Sequence, residues 1–211
     1  AEPMKVFDNL YFVGTKEVTT WVIPTKDGYM MIDAGYAGEE ERTMIAGMKK
    51  LGLDPAKPTA LMMFGGEGST SMYDIARRLD ASGLDLQMIV ICGKNQKLEA
   101  RLKAEKWRIG MHVIGFTREV PRFMRLADFF IGKPGPGSIS EAVAMKLPVI
   151  VERNAWTLPQ ERFNAEWVTE KGAGLVVSNF RGIREAVDKL LANLETYRAN
   201  VAKIENRAVF E

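Results

Sequence analysis

From residue 58 onward, short apolar runs alternate with amphipathic helical stretches, and this alternation constrains the fold more than any other feature. The apolar runs lie at residues 59–64, 87–92, 111–116, 129–131, 149–151 and 174–177, and the helical stretches lie near 70–82, 95–106, 119–126, 138–146, 160–171 and 181–194. Strands without polar alternation are typical of a parallel sheet covered by helices on both faces. The six units therefore predict an α/β fold with a doubly wound, Rossmann-like parallel sheet.

The first 57 residues show a different pattern of apolar and turn residues. Residues 4–35 contain β-branched and aromatic runs separated by turn residues, and a helix is predicted over 38–51. Pro55 and Pro58 then favour an extended connection into the second pattern. We therefore predict two parts, a βββα segment over 1–57 and an α/β domain over 58–211, with the first packed on the sheet of the second.

Composition excludes several classes of function. The chain has 211 residues, is 46% hydrophobic and carries a net charge of +2, which is typical of a globular protein and gives no electrostatic case for nucleic-acid binding. No apolar run is long enough to span a bilayer and no signal-peptide pattern is visible, so we expect a soluble, cytoplasmic protein. Cys92 and His112 are the only residues of their types. A disulfide and a histidine-rich metal site are therefore excluded, and we predict neither a metal nor a cofactor.

Two glycine-rich turns follow predicted strands. The first reads Gly65-Gly66-Glu67-Gly68, and the second reads Lys133-Pro134-Gly135-Pro136-Gly137-Ser138 and leads into a helix that contains Glu141. Glycines let the backbone approach a ligand, amides at a helix start attract anions, and a lysine adds positive charge. The second turn therefore fits a pyrophosphate, and Glu141 fits ribose hydroxyls. The alternative is that Gly-Pro turns simply make tight connections.

These motifs resemble a known family when they are taken in order with residues 90–95, 115–117, 159–161 and 171–174. The set is similar to the C-terminal, nucleotide-sugar-binding domain of GT-B glycosyltransferases of the monogalactosyldiacylglycerol synthase kind. This resemblance implies a UDP-sugar donor. It implies uracil near Gly93, Gly115, Phe116 and Thr117, diphosphate against Gly135, Pro136, Gly137, Ser138 and the Gly65–Gly68 turn, ribose at Glu141, and sugar hydroxyls near Gln160 and Glu161.

The opening resembles a different family. Residues 6–14, 22–28 and 31–35 are similar to the first strands of the metallo-β-lactamase fold. In that family a zinc-binding histidine motif follows the next strand, but residues 61–68 here read Leu-Met-Met-Phe-Gly-Gly-Glu-Gly. The resemblance therefore implies no metal ligand. Together the two resemblances imply a chimera, made in the laboratory or derived from a natural gene with a replaced N-terminal half.

The expected function follows from that reading. We expect a chimera that binds UDP or a UDP-sugar but has little or no catalytic turnover, because catalysis also needs an acceptor domain. No catalytic residue is assigned. Two alternatives stay open: an active glycosyltransferase that transfers a hexose from a UDP-sugar to a lipid or other acceptor, and a structural chimera with no ligand. A homodimer also stays open, because a missing partner domain would expose apolar surface.

Overall fold

A computed structural model describes the backbone of residues 4–7, 10–12, 21–25, 28–32 and 39–204, and the side chains of residues 45–204. The chain divides into two compact units, Ala1–Ala46 and Gly47–Glu211. In the described part of the chain, no helix is both long and apolar enough to cross a membrane.

The first unit contains an antiparallel sheet. Its strands, in the order β1-β2-β3-β4, are Met4–Phe7, Leu10–Phe12, Trp21–Thr25 and Gly28–Ile32. Helix α1 (Glu39–Lys50) follows in the chain. The predicted βββα pattern is therefore one strand short. Leu10–Phe12 forms a strand of its own, which pairs with β1 on one side and with β3 on the other.

The second unit contains a six-stranded parallel sheet with the order β10-β9-β8-β5-β6-β7. The strands are β5 (Thr59–Met63), β6 (Gln87–Ile91), β7 (Gly110–Ile114), β8 (Phe129–Gly132), β9 (Val149–Glu152) and β10 (Gly174–Val177). The chain builds one half outward from β5 to β7 and then returns to β8 on the other side of β5. This order confirms the predicted doubly wound, Rossmann-like fold and places its switch point between β5 and β8.

Helices cover both faces of this sheet, as the apolar strands predict. They are α2 (Ser71–Asp80), α3 (Gln96–Ala104), α4 (Val120–Arg125), α5 (Pro136–Ala144), α6 (Pro159–Glu170), α7 (Ile183–Ala192) and α8 (Leu194–Ala202), with a 3-10 turn at Phe180–Gly182. Alternate residues of β5 face opposite ways: Ala60 and Met62 pack in the core with α2, α3 and α7, whereas Leu61 and Met63 pack in the core with α4, α5 and α6. Both cores are therefore built on the same strands.

The second unit begins at Gly47, which is N-terminal to the boundary predicted at residue 57. Met48 and Leu53 are buried in its core. The buried side chain of Gln87 accepts a hydrogen bond from the backbone N–H of Asp54 (2.8 Å) and donates one to the backbone oxygen of Asp54 (2.6 Å). These contacts join the segment before β5 to β6. The assignment of residues 1–57 and 58–211 to different families remains a prediction.

Candidate functional site

The two glycine-rich turns start side by side at the switch point. Met63 is the last residue of β5 and pairs in register with Gly132, the last residue of β8. The turn at residues 65–68 therefore leaves the sheet beside the turn at residues 133–138. In open α/β sheets this is where ligands bind, in the crevice beyond the carboxyl ends of the strands at the switch point.

A third loop, after β6, packs closely against the first turn and is hydrogen-bonded to it. Gly93 has a φ of +59°, and a Cβ added there would lie 2.2 Å from the oxygen of Gly66. Gly68 has a φ of +65°, and its Cβ would lie 2.3 Å from the oxygen of Cys92. The backbone N–H of Lys94 donates to the Gly66 oxygen at 2.8 Å. Only glycine permits this close approach of two backbones, so the loops after β5 and β6 form one rigid edge.

An ion pair joins the same two loops. The Lys94 ammonium lies 2.9 Å from the Glu67 carboxylate, and both side chains are exposed. The sequence predicted Glu67 as a site residue but not Lys94. The available signal was the position of Lys94, immediately after Gly93 at the end of the second apolar run.

The turn after β8 leads directly into a helix. Gly135 is the N-cap of α5, its backbone is extended, and Pro136 occupies the first helical position. The amides of Gly137 and Ser138 belong to the first turn, where backbone N–H groups lack a carbonyl partner within the helix. A Cβ added at Gly137 would meet nothing within 4 Å. The helix start is therefore open to a ligand and suited to an anion.

Helix α6 holds this turn in place. The Asn164 side chain donates a hydrogen bond to the backbone oxygen of Pro134 at 2.8 Å. A Cβ added at Gly135 would lie 3.9 Å from a carboxylate oxygen of Glu161. Glu161 and the turn after β8 are therefore neighbours, and the predicted roles of both remain predictions. Gln160 is exposed at the start of α6. The sequence does not predict this contact of Asn164 with the turn.

The charged groups around the turn differ in their environments. Lys133 is exposed, and in the described part of the chain no acidic side chain forms an ion pair with it. Glu141 lies in the second turn of α5, where desolvation by neighbouring protein atoms raises the pKa of its carboxyl. The site thus offers a lysine for an anion and a carboxyl that holds its proton more tightly than usual.

The segment predicted to lie near uracil follows the edge strand β7. A Cβ added at Gly115 would lie 2.4 Å from a carboxylate oxygen of Glu99, which is paired with Lys103 at 2.6 Å. Phe116 is 59% exposed, and the Thr117 hydroxyl accepts a hydrogen bond from the backbone N–H of Glu119. The segment shares the carboxyl edge with both turns but is three strands from β8, about 14 Å at strand spacing.

A cavity lies between α5 and α6, beside the turn after β8, and Pro136 belongs to both. It has a volume of about 190 Å³ and is lined by Pro136, Ile139, Ser140, Phe163, Asn164, Trp167 and Ile204. Most of these side chains are apolar, so the cavity does not itself provide a diphosphate site.

The fold defines a Rossmann-like domain of the α/β class, and comparison with known proteins identifies the family. The pattern of the glycosyltransferase family 28 C-terminal domain matches residues 64–209. The chain therefore belongs to this family.

The chain is similar to plant galactolipid synthases. It is 33% identical over 175 residues to the probable monogalactosyldiacylglycerol synthase 2, chloroplastic, of Oryza sativa subsp. japonica, covering 77% of this chain and 37% of that protein. It is 35% identical over 148 residues to the monogalactosyldiacylglycerol synthase, chloroplastic, of Spinacia oleracea, covering 67% and 28%. The chain thus spans only about a third of the length of these relatives.

Solved structures share the fold. The calicheamicin glycosyltransferase CalG4 superposes with a TM-score of 0.55 at 19% identity, over 70% of this chain and 38% of that one. The C-terminal CMP-Kdo binding domain of WaaA from Acinetobacter baumannii superposes with a TM-score of 0.55 at 11% identity, over 79% of this chain and 98% of that one.

These matches confirm the glycosyltransferase resemblance. They give no support to the metallo-β-lactamase resemblance of residues 1–57 or to a chimera. The relatives are named as chloroplastic, so a cytoplasmic location is not confirmed.

Proposed function

We propose that this chain binds the nucleoside diphosphate of a nucleotide-sugar donor and forms the donor half of an active glycosyltransferase. The observation that carries the proposal is the register of Met63 with Gly132, which brings both glycine-rich turns to the switch point. The family match supports an active glycosyltransferase better than the inactive chimera expected from the sequence. The names of the relatives support transfer of galactose to a diacylglycerol lipid, and the resemblance implies UDP as the carrier of that galactose.

The diphosphate is assigned to the helix start. The amides of Gly137 and Ser138 would donate to phosphate oxygens, and Lys133 would supply positive charge. The turn at residues 65–68 would line the other side of the crevice. Because Asn164 fixes the Pro134 oxygen, these amides are oriented before the ligand arrives.

The remaining assignments follow the resemblance and the positions of the residues. Glu141 would accept hydrogen bonds from ribose hydroxyls, and Gln160 and Glu161 would contact the sugar beside the turn. Gly93, Gly115, Phe116 and Thr117 would lie along the uracil. All of these residues are at the carboxyl edge of the sheet, so one extended ligand would contact them in turn.

The chemistry of transfer makes the helix start important. An acceptor hydroxyl oxygen forms a bond to the anomeric carbon, the bond from that carbon to the diphosphate oxygen breaks, and the electron pair leaves with UDP. The acceptor proton passes to a base outside the residues assigned here. Because negative charge grows on the diphosphate, first-turn amides and a lysine stabilise the transition state.

Calorimetric titration with UDP tests the binding claim. We expect wild type to bind UDP at millimolar concentration or below, and Gly137→Val to abolish this binding while leaving the fold intact, because the added side chain meets open space. Gly182→Val is the matched control, since its Cβ would contact only Glu185, at 3.9 Å. Absence of heat with wild type at millimolar UDP would overturn the proposal.

Activity is tested separately. Release of UDP from UDP-galactose in the presence of a diacylglycerol acceptor should depend on Glu141 and Gln160. If wild type binds UDP but releases none from any UDP-hexose tried, the chain is a binding domain whose catalysis requires the rest of a longer enzyme.

A further inference from the structure

The loops after β5 and β6 carry a charged pair of which the donor-site assignment includes Glu67 but not Lys94. Glu67 lies within the first glycine-rich turn, and Lys94 reaches it from the neighbouring loop with a nitrogen-to-oxygen distance of 2.9 Å. The Lys94 ammonium is thus positioned beside the turn at residues 65–68, on the loop after β6, whereas Lys133 follows β8 on the other side of β5.

Backbone contacts hold the two loops together in addition to the ion pair. The Lys94 N–H bonds to the Gly66 oxygen, and Gly93 and Gly68 pack directly against backbone oxygens of the opposite loop. The side chains of the pair are 64% and 80% exposed for Lys94 and Glu67. Solvent-exposed ion pairs contribute little to stability. The pair is therefore a poor candidate for a structural brace and is easily exchanged for another anion.

A nucleoside diphosphate is a stronger partner for Lys94 than one carboxylate. It carries more than one negative charge, and an ammonium-to-phosphate hydrogen bond is charge-assisted. A diphosphate bound at the helix start of α5 would face the first turn across the switch point, because β5 and β8 are adjacent strands. The exposed Lys94 side chain can leave Glu67 without breaking the hydrogen bond from the Lys94 backbone N–H to the Gly66 oxygen.

On the basis of the proposed function, we propose that Lys94 is a further ligand of the donor diphosphate and that Glu67 is its partner in the unliganded site. Glu67 neutralises the lysine when the site is empty and competes with the incoming anion for it. The two residues therefore act on affinity in opposite directions: Lys94 strengthens diphosphate binding, and Glu67 weakens it.

Titrations with UDP and with uridine test this assignment. Lys94→Met should weaken UDP binding about tenfold, the loss expected for one charge-assisted contact. Glu67→Gln should tighten UDP binding about threefold, because it removes a competing carboxylate. Uridine lacks the diphosphate, so its affinity should change with neither variant. Lys94→Gln repeats the first measurement with a polar side chain, and thermal melting confirms that each variant is folded.

The chain supplies a matched control pair. Lys57 and Asp85 form an exposed ion pair of 2.6 Å just before β5 and β6, at the opposite end of the same two strands. Lys57→Met and Asp85→Asn should leave UDP affinity unchanged.

Each other outcome overturns a stated part. Unchanged UDP affinity in both Lys94 variants removes Lys94 from the site. Equal weakening by Lys94→Met and Glu67→Gln shows that the pair is a brace. If wild type itself binds no UDP, the proposed function fails first, and this inference fails with it.

Discussion

The contact between Gly93 and Gly66 provides a sharp test of the rigid edge formed by the loops after β5 and β6. In Gly93→Ala, alanine must adopt a φ of +59°, a left-handed conformation that costs about 1–2 kcal/mol. Its Cβ would also lie 2.2 Å from the Gly66 oxygen and 2.7 Å from the Gly66 carbonyl carbon. These are backbone atoms, so a loop must move, and overpacking of this kind adds about 1–3 kcal/mol.

Gly83→Ala isolates the first of these costs. Gly83 has a φ of +74°, but a Cβ added there meets nothing within 4 Å. Urea unfolding should therefore show a loss of about 1–2 kcal/mol for Gly83→Ala and about 2–5 kcal/mol for Gly93→Ala. The melting temperatures should differ by about 2–4 °C for each kcal/mol between the variants. Gly93→Ala should also weaken UDP binding, whereas Gly83→Ala should not. Equal losses of stability in the two variants would refute the argument from close approach.

Three further predictions concern single side chains. Asn164→Leu leaves the Pro134 oxygen without its donor, so urea unfolding should show a loss of about 1 kcal/mol and calorimetry a lower UDP affinity. The raised pKa of Glu141 means that the folded state holds this proton more tightly than the unfolded state, so its carboxyl lowers stability as pH rises. Glu141→Gln should therefore gain stability relative to wild type as the pH rises above about 4, as measured by unfolding at each pH; a constant difference would contradict this. Burial raises the pKa of Cys92 to about 11, so a thiol reagent at about pH 8 should label it only as fast as the protein unfolds.

The sequence predicts the second unit well because its strands are buried on both faces. Runs such as residues 59–64 and 87–92 lack polar alternation, which distinguishes them from the strands of a half-exposed sheet. Glycine and proline mark the turns that follow β5 and β8. Local patterns therefore predict the type of fold and the positions of both glycine-rich turns.

Contacts between residues on different strands and helices could not be predicted from the sequence in the same way. The pairing of Lys94 with Glu67 depends on the register of β6 with β5, and the bond from Asn164 to Pro134 depends on how α6 lies beside the turn after β8. Local sequence does not specify either relation. The start of the second unit at Gly47 could not be predicted for the same reason, since it depends on tertiary contacts of Met48, Leu53 and Gln87.

The expectation of an inactive chimera has two grounds. The chimera rests on the resemblance of residues 1–57 to another family, and the low turnover rests on the lack of an acceptor domain, whereas the family match covers residues 64–209. Missing zinc histidines at residues 61–68 argue against a zinc hydrolase but carry no information about whether the same turn contacts a sugar donor. The absence of a zinc hydrolase and the presence of a glycosyltransferase are separate conclusions. The family match supports the glycosyltransferase.

The most direct test of the donor-site assignment is a crystal structure of the protein soaked with UDP. We predict density for the diphosphate in the crevice between residues 65–68 and 135–138, with phosphate oxygens within hydrogen-bonding distance of the Gly137 and Ser138 amides. UDP bound elsewhere on the molecule, or no density at saturating UDP, would contradict the assignment.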